Sequence, residues 1–313
     1  MQTNSNLSCI PFYENLEEQD FRKWYAYRDK YINRVPNDYL LPFFFPLPIT
    51  TASREWEIVS SQLYRLCCDE EEVAYNASYD MGAFSNAFAV TELPVEGLLV
   101  LNGLKITRSG TKSVCTYLAD TSTPQSSFHL PRGLYYLHLK FATQGESTRY
   151  YEVYSDVFLA ESREDIARHV KVEWYSMENQ AYEGGVIPYE EHEGNVYYKN
   201  VLYLDTEIGM PEYTFTEEGE ERNGYFFPTK QISEKVFSMK FVAPEYLCDV
   251  MRLIRMSDVV KITDGIGRTY GVEQFEMEVE WLEQGHYAEV SCTFQTDTVV
   301  KKIGKAYTNI TDR

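Results

Sequence analysis

Apolar and polar residues alternate with period two along much of the second half of the chain. Phe275, Met277, Val279 and Trp281 alternate with Glu276, Glu278 and Glu280, and after Gln284-Gly285 the pattern returns in Ala288, Val290, Cys292 and Phe294. Successive side chains of a strand point to opposite faces, so these two runs read as a long antiparallel hairpin with one buried and one polar face. On that reading Trp281 and Cys292 belong to the core. Phe237, Met239 and Phe241 interleave with Val236, Ser238 and Lys240 over Ser233 to Phe241, and Val170 to Tyr175 alternates too. Val196 to Leu204 forms a further strand.

A different period appears after Pro244. Leu247, Val250, Met251 and Ile254 fall at i, i+3, i+4 and i+7, the apolar stripe of a helix lying on a sheet. Pro244 suits a first helical turn, where its missing N–H is harmless. Arg252 and Arg255 face water and complement the C-terminal dipole. The predicted helix spans about 244-256.

In the first half, strand signals run from Tyr39 to about Ala160. Glu55 to Leu66 forms one or two strands, and Asn102-Gly103 makes a turn. Leu134 to Phe141 and Tyr150 to Leu159 face each other across Gln144-Gly145 as a hairpin. The expected fold is therefore mainly β: an N-terminal arm (1-38), an immunoglobulin-like β-sandwich (39-160), and a second sandwich-like, β-rich domain with one short helix (161-313).

The charge balance is strongly acidic, with 48 Asp and Glu against 29 Lys and Arg, a formal net charge of −19. Such a field repels phosphates, which argues against specific nucleic-acid binding. No run approaches the ~20 apolar residues of a membrane helix, because Pro42, Pro46 and Pro48 cut the most apolar stretch. The N-terminal residues lack the basic start and apolar core of a secretory signal. The six cysteines show neither zinc spacing nor a disulfide framework, as expected for a protein assembled in a reducing cytoplasm.

No motif carries catalytic chemistry. Glu217, Glu218, Glu220 and Glu221 around Gly219 lack calcium-loop spacing and read as a solvated hairpin tip or a partner surface. Glu276, Glu278 and Glu280 share one exposed strand face, whereas a hydrolase needs a carboxyl in a dry pocket. The five histidines, His129, His138, His169, His192 and His286, have no metal spacing, and Gly265-Ile266-Gly267 lacks the third glycine of a dinucleotide fingerprint. No cofactor is expected. Trp24, Trp56, Trp174 and Trp281 are the candidates for a sugar-stacking platform.

Three stretches carry a resemblance: FRKWYAYRDKYINRVPNDYLLPF (21–43), PRGLYYLHLKF with YYEVYSDVF (131–158), and LYLDTEIGMPEYTFTEEGEERNGYFFPTKQISEKVFSMKFVAPEYLCDVMRLIRMSDVVKIT (202–263). In this order they resemble a family of uncharacterised proteins from the structural gene regions of phages of Bacteroides and relatives, including crAss-like phages. The resemblance implies a virion protein of the tail, connector ring or baseplate, assembled in the host cytoplasm. It implies no enzymatic activity and carries over no site residue. The partners implied are further copies in a ring-like homo-oligomer and other virion proteins. Trp24, Tyr25 and Tyr27 of the N-terminal arm, with Glu217, Glu218, Glu220 and Glu221, are the candidate interface residues. The alternative is a carbohydrate-binding β-sandwich module for host-surface recognition.

Overall fold

Long apolar-alternating runs leave strands as the principal way to bury one face, and the protein is mainly β. A computed structural model describes residues 7–14, 32–38, 41–50, 54–66, 92–94, 104–109, 112–117, 130–144, 147–182, 185–187, 189, 198–282, 287–296 and 300–303. The elements of the first half are β1 (Phe12–Tyr13), β2 (Asn33–Pro36), β3 (Phe43–Leu47), β4 (Trp56–Leu66), β5 (Glu92–Pro94), β6 (Leu104–Ser109), β7 (Lys112–Tyr117), β8 (Gly133–Thr143), β9 (Tyr150–Ser155) and β10 (Phe158–Glu161). The second half begins with α1 (Arg163–Ile166), β11 (Val170–Tyr175), β12 (Gln180–Tyr182), β13 (Gly185–Ile187) and β14 (Asn200–Leu204). It continues with β15 (Glu212–Arg222), β16 (Tyr225–Pro244), α2 (Glu245–Met251), β17 (Val259–Thr263), β18 (Thr269–Trp281), β19 (Tyr287–Thr296) and β20 (Val300–Ile303).

In the first half a seven-stranded sheet is built around β8, with β4 along one edge and β9 then β10 along the other. A three-stranded sheet, β3-β7-β6, packs against it. Phe43, Phe45, Leu47, Cys115 and Tyr117 meet Leu137, Leu139 and Phe141 in one core, where the rings of Phe45 and Phe141 sit edge to face at 5.8 Å. In the second half an eight-stranded sheet runs β14-β11-β17-β18-β19-β16-β15, with β20 also on β16. Residues of α2 and the β12–β13 hairpin join its apolar face in a second core.

Three strands belong to both cores, one being β7, which gives Val114 to the second and Cys115 and Tyr117 to the first. β3 sends Phe43, Phe45 and Leu47 into the first core and Phe44 into the second, where its ring meets Tyr198 edge to face at 5.3 Å. β14 likewise gives Val201 and Tyr203 to the first core and Leu202 and Leu204 to the second. Strands covered on both faces need no polar side, hence the apolar runs FFFPL in β3 and VLYL in β14.

Several expectations change. The helix is shorter than 244-256. Pro244 stays extended and paired with Tyr287, α2 ends at Met251, and Ile254–Met256 forms a separate 3₁₀ turn. Leu253 N–H donates to Val250 O and Met256 N–H to Leu253 O, the tighter i to i+3 pattern that commonly finishes a helix. The apolar stripe survives this, with Leu247, Val250, Met251 and Ile254 all buried. The strand expected over Tyr150 to Leu159 breaks at Asp156. From His138 to Tyr135 is three residues on β8, while their partners Tyr154 and Phe158 are four apart, so one extra residue bulges out. Of the strand expected over Val196 to Leu204, Asn200–Leu204 is formed, Tyr198 and Lys199 precede it outside the ladder, and residues 196–197 lie outside the described residues. Cys9, Cys115, Cys248 and Cys292 are free and buried, while Cys67 and Cys68 lie outside the described residues.

Trp281 is not in the core. It is 50% exposed at the far end of β18, opposite the small Ala288, where the sheet runs past its cover. Of the stretch 1-38, residues 7–14 and 32–38 are built into the body. β1 pairs with β9, β2 runs parallel to β10, and Asn33 Nδ2 donates to Cys9 O at 2.6 Å. Trp24, Tyr25 and Tyr27 lie outside the described residues.

Two predictions follow from this packing. Phe294→Ala empties a buried ring site and is expected to cost about 3–5 kcal/mol in urea unfolding, while Trp281→Ala costs about 1 kcal/mol or less. The second concerns Asp156 at the bulge, whose carboxyl burial pushes up to about 7, against the pull of the Val157 N–H it accepts at 2.9 Å. A raised folded pKa favours the protonated form, so its stabilisation is complete below about pH 4 and lost as pH rises to about 7. Asp156→Asn should therefore gain stability relative to wild type from pH 4 to 7 and hold that gain above, read as denaturation midpoints across the range. A difference independent of pH would contradict this.

Candidate functional site

The most unusual surface is the outer part of the β15–β16 hairpin. The strands pair from Glu212 with Val236 to Arg222 with Tyr225. Asn223 (φ 52°) and Gly224 (φ 78°) close the hairpin in the left-handed conformation, which suits the twist of a two-residue turn. A bulge interrupts the ladder at Glu218 and Gly219. A Cβ on Gly219 would lie 2.4 Å from Phe227 O and 2.6 Å from Phe226 Cζ, so only glycine admits that close approach.

The hairpin is held at its base and projects at its tip. β19 covers β16 from Val236 to Pro244 and β20 covers Lys230 to Ser233. Beyond Lys230 no third strand joins among the described residues. Phe237, Phe294 and Phe275 face one another across three strands. Six residues back along β18 is its first residue, Thr269, and six back along β16 is Gln231. The segment from Lys230 to Gly224 thus passes the end of β18 by about 20 Å at ~3.3 Å per residue.

The hairpin carries aromatic side chains in water from its base to its tip. Tyr213 and Phe215 sit opposite Lys235 and Ser233, on the face that continues inward as Phe237 and Met239. They are 68% and 64% exposed, and Lys235 Nζ lies 5.7 Å from the Tyr213 ring. Tyr225, Phe226 and Phe227 crowd the tip, Tyr225 at 72% exposure.

The expected acidic tip needs correcting. Glu217, Glu218, Glu220 and Glu221 are all exposed, but they lie within β15 and the turn itself is Asn223-Gly224. The Asn-Gly pair between alternating residues was the available signal for the turn. Glu217 accepts a hydrogen bond from the Gln231 amide, and Glu218 pairs with Lys230 at 3.1 Å.

A second feature sits at the seam between the sheets. Glu161, whose side chain is 3% exposed, ends β10 and accepts from Arg34 at 2.6 Å and Arg132 at 3.1 Å. His169 Nε2 lies 3.7 Å from the same carboxylate, and its Nδ1 lies 3.5 Å from Asp205. Hydrogen bonding to His169 holds the Asp205 carboxyl below its ordinary value; burial opposes the shift and Arg34 aids it. Beside this network opens a cleft of about 520 Å³. Pro36, Ile166 and Tyr203 give it apolar walls, and Arg163, His169 and Lys171 give it polar ones. The turn 264–267 closes one side. Asp264 holds that turn by accepting from the N–H groups of Ile266 and Arg268 and the hydroxyl of Tyr270. Gly265 packs on α1's exit, where a Cβ would meet Arg168 O at 2.4 Å.

The other candidates are not brought together. Trp56 and Trp174 are buried, Trp281 is exposed, and Trp24 lies outside the described residues. Glu276, Glu278 and Glu280 stay on one exposed face. His138 stacks on Tyr154 at 4.4 Å and lies 3.1 Å from Glu152, while His129, His192 and His286 fall outside the described residues. Gly265 and Gly267 belong to the turn at the cleft. Among the described residues no helix is long and apolar enough to cross a membrane. The sequence signals missed the cleft, because its walls come from stretches far apart in the chain. Compared with known proteins, the chain matches no family model, no curated protein and no solved structure.

Glu161→Ala leaves Arg34 and Arg132 without their buried partner, and about 3–5 kcal/mol of stability should be lost in chemical denaturation. Glu218→Ala, at an exposed pair, should change stability by about 1 kcal/mol or less. Equal costs would place the seam network outside the cooperative core.

Proposed function

We propose that the chain is a structural protein of a bacteriophage particle, a tail, connector-ring or baseplate component that self-assembles and contacts other particle proteins. The observation that carries this reading is the β15–β16 hairpin with its five exposed aromatic rings, three of them on the projecting tip. A two-stranded ribbon is marginal alone in water, and clustered exposed aromatics mark a surface that meets a partner. The row of glutamates along β15 fits the same role, since charge on an edge strand deters indiscriminate pairing while a specific partner is awaited. The acidic balance supports a surface past which DNA slides without sticking. Free, buried thiols suit assembly in the host cytoplasm before incorporation into the virion.

The carbohydrate-binding alternative is weaker, because Trp56 and Trp174 are core residues and leave Trp281 without a second described indole for stacking. Chemistry is not part of the proposed role. The test has two parts. Mass spectrometry of purified particles should find the chain at many copies per particle. Replacing Gly219 to Thr229 by a two-residue Asn-Gly turn should leave the melting temperature within a few degrees and abolish self-assembly in size-exclusion chromatography with light scattering. A chain absent from particles, or a shortened chain that assembles normally, would overturn the reading.

A further inference from the structure

We infer that the arm of one copy docks into the seam cleft of a second copy, joining copies head to tail. The inference rests on the reading of the arm as the assembly element and names its partner.

The first argument is charge. The outer arm carries Glu217, Glu218, Glu220 and Glu221 against Arg222 and Lys230, a net negative strand pair around the tip aromatics. The cleft offers the opposite sign in a chain of net −19: among the described residues Arg163 and Lys171 line it against one carboxylate, Asp264, with the His169 imidazole also in the wall. That carboxylate is already occupied by the N–H groups and hydroxyl of its own turn. Among the described residues Arg163 and Lys171 each pair with one carboxylate, Asp38 and Glu173, which leaves donor capacity on both heads for incoming carboxylates. Arg168 stands highly exposed just beyond, its ion pair to Asp165 stretched to 3.9 Å.

Size is the second argument. An aromatic side chain buries about 150–250 Å², so the three tip rings of Tyr225, Phe226 and Phe227, averaging a little over half exposed, offer roughly 300 Å². A standard interface needs ~800 Å² per partner, so docking must also bury the ribbon that flanks the rings from Gly219 to Thr229. The cleft, at about 520 Å³, presents apolar walls at Pro36, Ile166 and Tyr203 and an exposed apolar rim at Ile266.

The third argument excludes arm-to-arm pairing. Two β15 edges side by side would set four glutamates of one copy against four of the other, and like charges directly opposed destabilise a sheet. The arrangement also favours closure. The turn lining the cleft leads directly into Thr269, and the arm departs past that same end of the sheet. Giving and receiving surfaces at one level let copies repeat by rotation, as a closed ring requires.

Complementation by mixing tests this. An arm variant (Phe226→Ser with Phe227→Ser) and a cleft variant (Arg163→Glu with Lys171→Glu) are each expected to sediment as monomers at concentrations where wild type assembles. Mixed one to one, the intact arm of one meets the intact cleft of the other, and a 1:1 dimer should form with nothing larger. Circular-dichroism melts establish that each variant folds, and Ile266→Glu at the exposed rim serves as the cleft variant should the double substitution unfold. A folded cleft variant that assembles like wild type, or a mixture without dimer, overturns the docking while the arm remains the assembly element. An arm variant that assembles like wild type overturns both readings.

Discussion

Everything that distinguishes this protein depends on how β16 is clamped. The strand is 20 residues long, and only its inner half is buried. There Phe237 stacks on Phe294 with ring centroids 5.4 Å apart and meets Tyr270 at 4.9 Å, while Phe275 lies across from Phe294 on the next strand. Burial of these rings, with Met239 and Phe241 further in, fixes the register of β16 against β19. The outer half has no core of its own. Its conformation is inherited from the clamp through the ladder to β15, and the Asn223-Gly224 turn and the bulge at Gly219 finish the ribbon. A rigid base carrying an exposed aromatic tip is the physical content of the term arm here.

The base is rigid because the two halves of the chain are knit together. β3 and β14 each place alternate side chains in different cores, so neither core can loosen without disturbing a strand of the other. Glu161 adds a polar bolt at the same seam. A carboxylate so deeply buried demands the two arginines that reach it, and those arginines tie β2 and the start of β8 to the end of β10. The cleft is a consequence: α1, the seam and the β17–β18 turn leave a gap between them, lined by Arg163, His169 and Lys171.

Much of this was legible in the chain. Period-two alternation located the inner half of β16, β18 from Phe275 onward, β11 and most of β19, because each buries one face and wets the other. The stripe from Leu247 to Ile254 found the helical segment, though the switch to 3₁₀ geometry after Met251 leaves no mark in a pattern of apolar spacing. Trp281 misled because alternation reports the face of a strand and is silent on where its cover ends. The glutamates of β15 misled differently: they drew attention from the Asn-Gly pair that makes the turn. The seam was invisible for a simpler reason. Arg34, Arg132, Glu161, His169 and Asp205 are scattered over 172 positions, from Arg34 to Asp205, and a parallel pairing such as β2 with β10 has no local signature.

The arm is ordered by its base, and the proposed assembly would complete it with a partner. Hydrogen–deuterium exchange measured on dilute and on concentrated full-length protein tests this directly. Amides from Gly219 to Thr229 should exchange fast when dilute and become protected as the chain assembles, while those of Phe237 to Phe241 stay protected throughout. Arm amides that exchange equally fast in the assembled protein would contradict it.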